Sequence, residues 1–447
     1  MQRAVERPRR ATQRIVEIEE DDACAASTDG GCDELALRSN GGFEDLVVES
    51  FGGEADPSAP IGETTWKPRN VLFVSWRDLA NPTAGGSELL VHQLASGMSQ
   101  RGYHVSLLCG GPVQPKSQYL VTDAGGQYSQ YLRVPVHYLR RFRSADLVVE
   151  VTNGMPFFSP LWRRGPIICF INHVHTEQWS SRFGPVTAAV GRAIEADVMP
   201  WVHRKNLVVT VSESSRASLL GLGIPENRIR MIPQGVAEPP PLVEKRRPPR
   251  FVAVGRIVGY KRIDLLLEMW QSVKQQTGGT LTIIGDGPER MQLQSKNVED
   301  VEFTGFISEE EKHRLMTEAL VLVHPASWEG WGLVITEAAV RGTPAVGFDV
   351  PGVRDAIVDG ETGLLAADPE SFKRDWVRLA QDQELYRRLR EFGMKRSLSY
   401  PVSATVNKFE SIAAEAVQRH YERSATARYR AKFFKDSPCQ SEAASNP

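Results

Sequence analysis

Two glutamates with seven residues between them, Glu329 and Glu337, stand in the run Ser-Trp-Glu-Gly-Trp-Gly-Leu-Val-Ile-Thr-Glu. Ionised carboxylates accept hydrogen bonds and do not donate them, so each is suited to holding paired hydroxyls. Between them, Gly330 and Gly332 let the backbone approach a ligand closely. A helix is predicted from about Leu333 to Arg341, closed by Gly342, and the free N–H groups at its start make an anion site. At ~1.5 Å rise per residue, Glu337 lies roughly 8 Å from that anion, with Glu329 on its other side. A nucleotide-sugar has this layout: pyrophosphate at the helix start, ribose at Glu337, sugar at Glu329. A glutamate pair alone is more often a surface charge and a helix-dipole partner, so the surrounding chain has to decide.

The elements that would hold this stretch are short apolar strands. Ala319–Val323 lacks alternation, as a strand buried on both faces of a parallel sheet does, and His324-Pro325 ends it. Near the start, Asn70–Trp76 reads as a strand. It is followed by a loop, by a helix from Ser87 to Gln100 with Leu90, Leu94 and Met98 at helical spacing, and by the strand Tyr103–Leu108. The glycines Gly85 and Gly86 precede a Ser cap and the acidic Glu88, and no Gly-x-Gly-x-x-Gly fingerprint is present. Further strands are predicted at Asp146–Val151, Ile167–Ile171 and Leu207–Val211. His173 and His175 follow the second of these, where open α/β sheets bind ligands. In the second half, Phe251–Arg256 reads as strand and turn, Val258–Asp264 as a helix start, and Leu281–Gly285 and Val301–Gly305 as strands, with Phe306 just beyond.

Taken together, Glu329 to Glu337, Gly342-Thr-Pro, Pro351-Gly-Val-Arg-Asp and Asp359-Gly-Glu-Thr-Gly-Leu-Leu resemble the donor half of retaining glycosyltransferases of the GT-B fold, closest to glycosyltransferase family 4. The likeness extends from Asn70 to about Ala425. It implies an α/β chain of two Rossmann-like domains facing across a cleft. It also implies a sugar transferred from a nucleoside diphosphate to a hydroxyl acceptor with retained configuration. By the same resemblance, Arg256 and Lys261 are the cationic pair on the pyrophosphate, and Glu329 holds the sugar. His173 or His175 meets its outer hydroxyls, with His173 slightly favoured. Glu337, Gly330, Trp331, Gly332, Leu333, Gly85, Gly86 and the backbone by Phe306 line the donor. No Asp-x-Asp stands at a strand end, so neither metal nor cofactor is expected, and the leaving phosphate itself would take the acceptor proton. Where the family has Asn-Gly-Val-Asp, this chain has Gln234-Gly-Val-Ala237, a departure that bears on hydrogen bonds at the domain junction. Other readings are a different nucleotide-sugar enzyme of this fold, such as an epimerase, and a silent nucleotide-sugar binder that would have lost Glu329, Arg256 or Lys261.

The expected organisation is an acidic, disordered extension over 1–66, a first domain over 67–237, and a proline-rich linker over 238–250. A donor domain follows over 251–400, then a helix crossing back over 401–425 and a disordered tail over 426–447. The 447 residues carry a net charge of −2, but residues 1–66 hold 6 Lys+Arg against 15 Asp+Glu, leaving 47 against 40 in the body. A mildly basic body suits an anionic donor, as would ordinary solvated charge. Five cysteines without metal-type spacing, no signal sequence and no long apolar run point to a cytoplasmic enzyme. Its partners would be the donor and a hydroxyl-bearing acceptor, with no nucleic acid. Arg140, Arg141, Arg143, Arg163 and Arg164 form a basic set that either meets anionic lipid at the inner membrane face or is simply solvated, the plainer reading.

Overall fold

The computed structural model describes residues 67–436 apart from 117, 177, 180–182, 240, 242–244 and 246–247, with the backbone alone for 427–436. The extension over 1–66, parts of the expected linker and the tail from 437 lie outside the described residues.

Two parallel sheets carry the chain. The first contains β1 (Asn70–Arg77), β2 (His104–Gly110), β3 (Leu120–Asp123), β4 (Leu147–Thr152), β5 (Ile167–Ile171), β6 (Leu207–Thr210) and β7 (Ile229–Met231), in the order β3-β2-β1-β4-β5-β6-β7. The second contains β8 (Arg250–Val254), β9 (Thr280–Ile284), β10 (Val301–Gly305), β11 (Val321–His324), β12 (Ala345–Phe348) and β13 (Gly363–Ala366), in the order β10-β9-β8-β11-β12-β13. Both faces of each sheet are covered, which is why the strands read as unbroken apolar runs. In β1, Val71 and Phe73 face Leu90, Leu94 and Met98, while Leu72 and Val74 face Val134, Tyr138 and Phe142. In β8, Phe251 packs edge-on against Trp270 and Trp376, and Val252 points to the opposite layer with Met316 and Ile335.

Three features differ from the sequence expectation. The final helix, Val402–Asp436, runs well past 425, because the Ala- and Arg-rich residues that follow favour continued helix. Its Val406, Phe409, Ile412 and Ala413 sit in the first domain's core. The turn holding Lys261 is a 3-10 turn, Gly259–Lys261, and the helix begins only at Ile263, after Arg262 in the left-handed region at φ +53. The turn is closed by Lys261 N–H to the Val258 carbonyl and Arg262 N–H to the Gly259 carbonyl, and Ser327 braces it, its N–H and its hydroxyl both donating to the Tyr260 carbonyl at 2.8 and 3.2 Å. Finally, β3 and the helix Gln130–His137 are additions to the expected elements: β3 is a four-residue edge strand with exposed ends, and the helix carries Pro135 in its interior, where proline argues against a helix.

The domain junction is tied by main chain. Val236 N–H donates to the Tyr400 carbonyl at 2.9 Å, and Thr405 Oγ1 donates to the Pro233 carbonyl at 3.0 Å. A Cβ on Gly235 would lie 2.5 Å from Val402 Cα, so this position needs glycine.

Candidate active site

In each sheet the strand order reverses beside the central strand, between β1 and β4 and between β8 and β11, and ligands of such sheets bind beyond the carboxyl ends at that point. At the second reversal, Gly255 and Arg256 follow β8 and His324 ends β11. With Lys261, Pro325 and Ala326 they line a small cavity. Glu329 reaches this place from the loop after β11. Its Oε1 accepts from His324 Nε2 at 2.9 Å and pairs with Lys261 Nζ. Lys261 and Glu329 side chains are only 12% and 16% exposed, so the pair is little screened. Burial would raise the Glu329 pKa, but the Lys261 charge and the His324 hydrogen bond outweigh it and hold the carboxyl well below its usual range. His324 moves down, chiefly through burial and also through Lys261, so it serves as a neutral imidazole donating to the carboxylate. The Pro351-Gly352 turn fixes the backbone: Glu329 N–H donates to the Pro351 carbonyl at 3.0 Å, and a Cβ on Gly352, at φ +82, would fall 2.2 Å from Glu329 O.

From the first domain a row of rings meets this loop. His175 and His173 have centroids 4.1 Å apart, His173 and Trp328 4.8 Å, and Trp328 stacks on Tyr260 at 4.0 Å. Arg256 Nη2 donates to the Tyr260 hydroxyl at 3.3 Å. A Cβ on Gly330 would lie 3.3 Å from Asn172 O and 3.5 Å from His173 Nδ1, which defines how closely the two loops approach. The histidines are held differently. His175 N–H donates to Glu195 Oε1 at 2.7 Å, with its ring Nδ1 3.3 Å from the same oxygen, so it is drawn into the first domain. His173 stands against Gly330 and Trp328. Asn172 Nδ2 donates to Ser87 Oγ at 2.7 Å and links this loop to the Gly85-Gly86 turn, where Gly85 N–H donates to Glu88 Oε2 at 2.8 Å. A Cβ on Gly86 would come within 3.9 Å of Leu333 Cδ2, across the cleft.

Glu337 lies apart from Glu329, on the helix Leu333–Val340 that starts at Gly332, φ +78. It is 7% exposed, and Lys312 Nζ stands 3.3 Å from its Oε2. Burial raises its pKa, opposed by Lys312. Glu309, His313 and Glu337 offer ligand atoms within 4.8 Å of one another, yet Lys312 Nζ, 2.7 Å from Glu309 Oε2, already places a cation there. Trp331, at 7% exposure, sits in the first domain's apolar cluster, edge-on to Tyr400 at 5.8 Å, so its ring packs the seam between the domains. Phe306 stands 64% exposed just past β10. Sequence reasoning passed over His324, Tyr260, Trp328 and Lys312. A histidine ending a buried strand was the available signal for the first, and Tyr260 and Trp328 directly precede Lys261 and Glu329, but that the two rings stack, and that Lys312 meets Glu337, is decided only in space.

A family model for glycosyl transferases group 1 matches residues 237–396, and one for glycosyltransferase family 4 matches residues 84–238. Glycogen synthase of Mycobacterium tuberculosis is 28% identical over 211 residues, 44% of this chain and 50% of that protein, so the likeness spans about half of that relative's length. Among solved structures, WaaG, a glycosyltransferase involved in lipopolysaccharide biosynthesis, superposes with TM-score 0.63 at 18% identity, covering 77% of this chain and 99% of its own. HepE of Anabaena, solved in complex with UDP and glucose, gives TM-score 0.62 at 14% identity, covering 78% and 100%. The fold is GT-B, two parallel-sheet α/β domains of seven and six strands, and these findings together support a glycosyltransferase of that fold.

Proposed function

We propose that this protein transfers a sugar from a nucleoside-diphosphate donor to a hydroxyl acceptor, with retention of configuration and without a metal ion. The reading rests above all on the Glu329–Lys261–His324 cluster, at the strand-order reversal of one domain and opposite His173 of the other. Lys261 and Glu329 pair with each other. A bound donor would insert its pyrophosphate by Lys261 and Arg256 and its sugar hydroxyls by Glu329 and His173, giving each charge a partner in the ligand. The C1–O bond to the diphosphate then breaks, its electron pair stays on the phosphate oxygen, and the acceptor oxygen bonds to C1 while its proton passes to that phosphate. Arg256, Lys261 and the N–H groups at Gly332–Leu333 lower the energy of the developing charge. His324 keeps Glu329 oriented, and Glu337 takes the ribose.

Because the HepE structure holds UDP and glucose, uridine donors head the panel of substrates to test. A ligand of the native state raises its melting temperature, so nucleoside diphosphates and their sugars are screened by thermal shift, and the best donor is then assayed for release of diphosphate and transfer to alcohol acceptors. The reading predicts a shift with at least one nucleoside diphosphate and a product that keeps the donor's anomeric configuration. An inverted product, or no shift with any nucleotide, would overturn it.

A further inference from the structure

One layer of the first domain exposes several large apolar side chains side by side. In β5, Ile167, Cys169 and Ile171 alternate onto one sheet face. Ile167 packs with Val134, Tyr138 and Phe142, and the other two pack with Met199, so the helical segments Gln130–Phe142 and Pro185–Val202 cover the same face. Their outer sides carry exposed apolar side chains among charged ones, the arginines of the first segment and Asp197 of the second. Leu132 is 81% exposed, and Val136 and Leu139 follow it at the i+4 and i+7 spacing of one helical stripe, with Leu161 68% exposed beside them. On the second segment, Val190 and Trp201 are 55% and 59% exposed. Trp162 packs on Tyr138 with ring centroids 4.9 Å apart, which anchors the Leu161 turn against the first segment.

Positive charge rims the stripe. Arg133, Arg140, Arg141, Arg143 and Arg164 are all exposed, and the sequence from Ala124 to Ala145 contains no acidic residue. Arg204 lies over the Trp201 ring at 4.9 Å. Arg163, grouped with these arginines on sequence, is instead buried and donates to the Tyr138 hydroxyl and to the Ala145 and Asp146 carbonyls. The structure therefore divides the basic set into one structural arginine and several that border exposed leucine and valine.

We propose that this layer is a docking surface for an anionic lipid bilayer, with the Leu132–Val136–Leu139 stripe set among the headgroups and the exposed arginines on their phosphates. Charge complementarity selects this occupant: a stripe meant for a second copy of the chain would place five like charges against each other, whereas an anionic surface neutralises them all. A tryptophan stacked with arginine and exposed beside valines suits the polar–apolar boundary of a membrane. No helix among the described residues is long and apolar enough to cross one, so the attachment would be peripheral and reversible. The layer also adjoins the cleft end of the sheet, because a Cβ on Gly110, the last residue of β2, would fall 2.7 Å from the Gln130 side chain at the start of the stripe helix.

The test is flotation of the full-length protein with phosphatidylcholine vesicles and with phosphatidylglycerol-rich vesicles, at low and high salt. Binding is expected to the anionic vesicles alone and should weaken as salt rises. Leu132→Glu/Leu139→Glu and Arg140→Glu/Arg143→Glu should each reduce it at least about tenfold. Both changes lie on solvent-facing positions, so melting temperature and nucleotide-induced thermal shift should match the parent, which separates failure of docking from failure of the donor site. Absence of binding to anionic vesicles at low salt, or equal binding by both variants, would overturn the proposal. So would light scattering that shows self-association abolished by Leu132→Glu without any vesicle binding, since the face would then join copies of the chain.

Discussion

Glu329 and Glu337 belong to the same domain and are both largely buried, yet their surroundings push them in opposite directions. Glu329 stands on a loop at the carboxyl end of the sheet, where Lys261 and His324 both favour its charge, and its pKa falls despite burial. Glu337 stands on a helix, where burial dominates and Lys312, shared with Glu309, compensates only in part, so its pKa rises. The difference shows that burial by itself does not set a carboxylate's state; the number of undivided positive or donor partners does. Glu329 is thus held in its charged form. Glu337 takes up a proton more readily than an ordinary carboxyl does, so the ribose contact proposed for it should respond to pH.

The largest effect expected of this contrast is on turnover. Replacing Lys261 or Arg256 by Ala should lower kcat about a hundredfold or more, from loss of on the order of 3 kcal/mol of charge stabilisation in the transition state. Glu329→Ala should likewise fail in kcat while the free diphosphate still binds. Steady-state kinetics and calorimetric binding check both, and parental turnover in all three variants would remove the cluster from the chemistry. Glu337→Ala should do the reverse, raising the dissociation constant of the nucleoside diphosphate about tenfold or more, as loss of a hydrogen bond to a charged group does, with kcat little changed.

Stability should separate the two residues by sign. The lowered pKa of Glu329 contributes stability above the ordinary carboxyl pKa that is lost as pH falls through the folded value. The raised pKa of Glu337 contributes stability below the ordinary value that is lost as pH rises through the folded one. At neutral pH, Glu329→Gln should therefore lower Tm by about 4 °C, while Glu337→Gln should leave it unchanged or raise it slightly. Equal shifts in calorimetry would break the contrast. A finer effect concerns Lys312→Met, which removes the cation opposing burial. The rise in donor KM as pH falls toward the Glu337 pKa should then begin at higher pH than in the parent, and identical pH profiles would show that Lys312 does not tune Glu337. The smallest expected effect is none at all: EDTA should leave activity unchanged, because Lys312 holds the place between Glu309 and Glu337. Loss of activity restored by magnesium or manganese would make that cluster a metal site.

Much of the architecture is legible in the sequence because strands buried on both faces must be apolar throughout, as Val71–Val74 and Val321–Val323 are, and because glycines at Gly332, Gly342 and Gly352 mark turns that only a positive φ can make. The edge strand Leu120–Asp123 and the length of the last helix are less legible. An edge needs little apolar side chain, and the composition after 425 suits either a helix or a tail. Sequence spacing also places Glu329 and Glu337 on one continuous loop and helix.

What the sequence by itself determined, then, is local: which runs are buried, where the backbone turns, and which acids and bases stand at the ends of strands. Only the tertiary structure decided their partners. Tyr260 and Trp328 are 68 positions apart, yet their rings stack because β8 and β11, the strands they follow, are neighbours in the second sheet, and His173 reaches Trp328 from the other domain. Packing across the seam buries Trp331, while packing within each domain turns Arg163 inward to Tyr138 and leaves Glu337 with Lys312 where Glu329 has Lys261 and His324. The physical reason is that hydrophobic periodicity records whether a residue leaves water, whereas a charge's energy depends on which other groups leave water beside it.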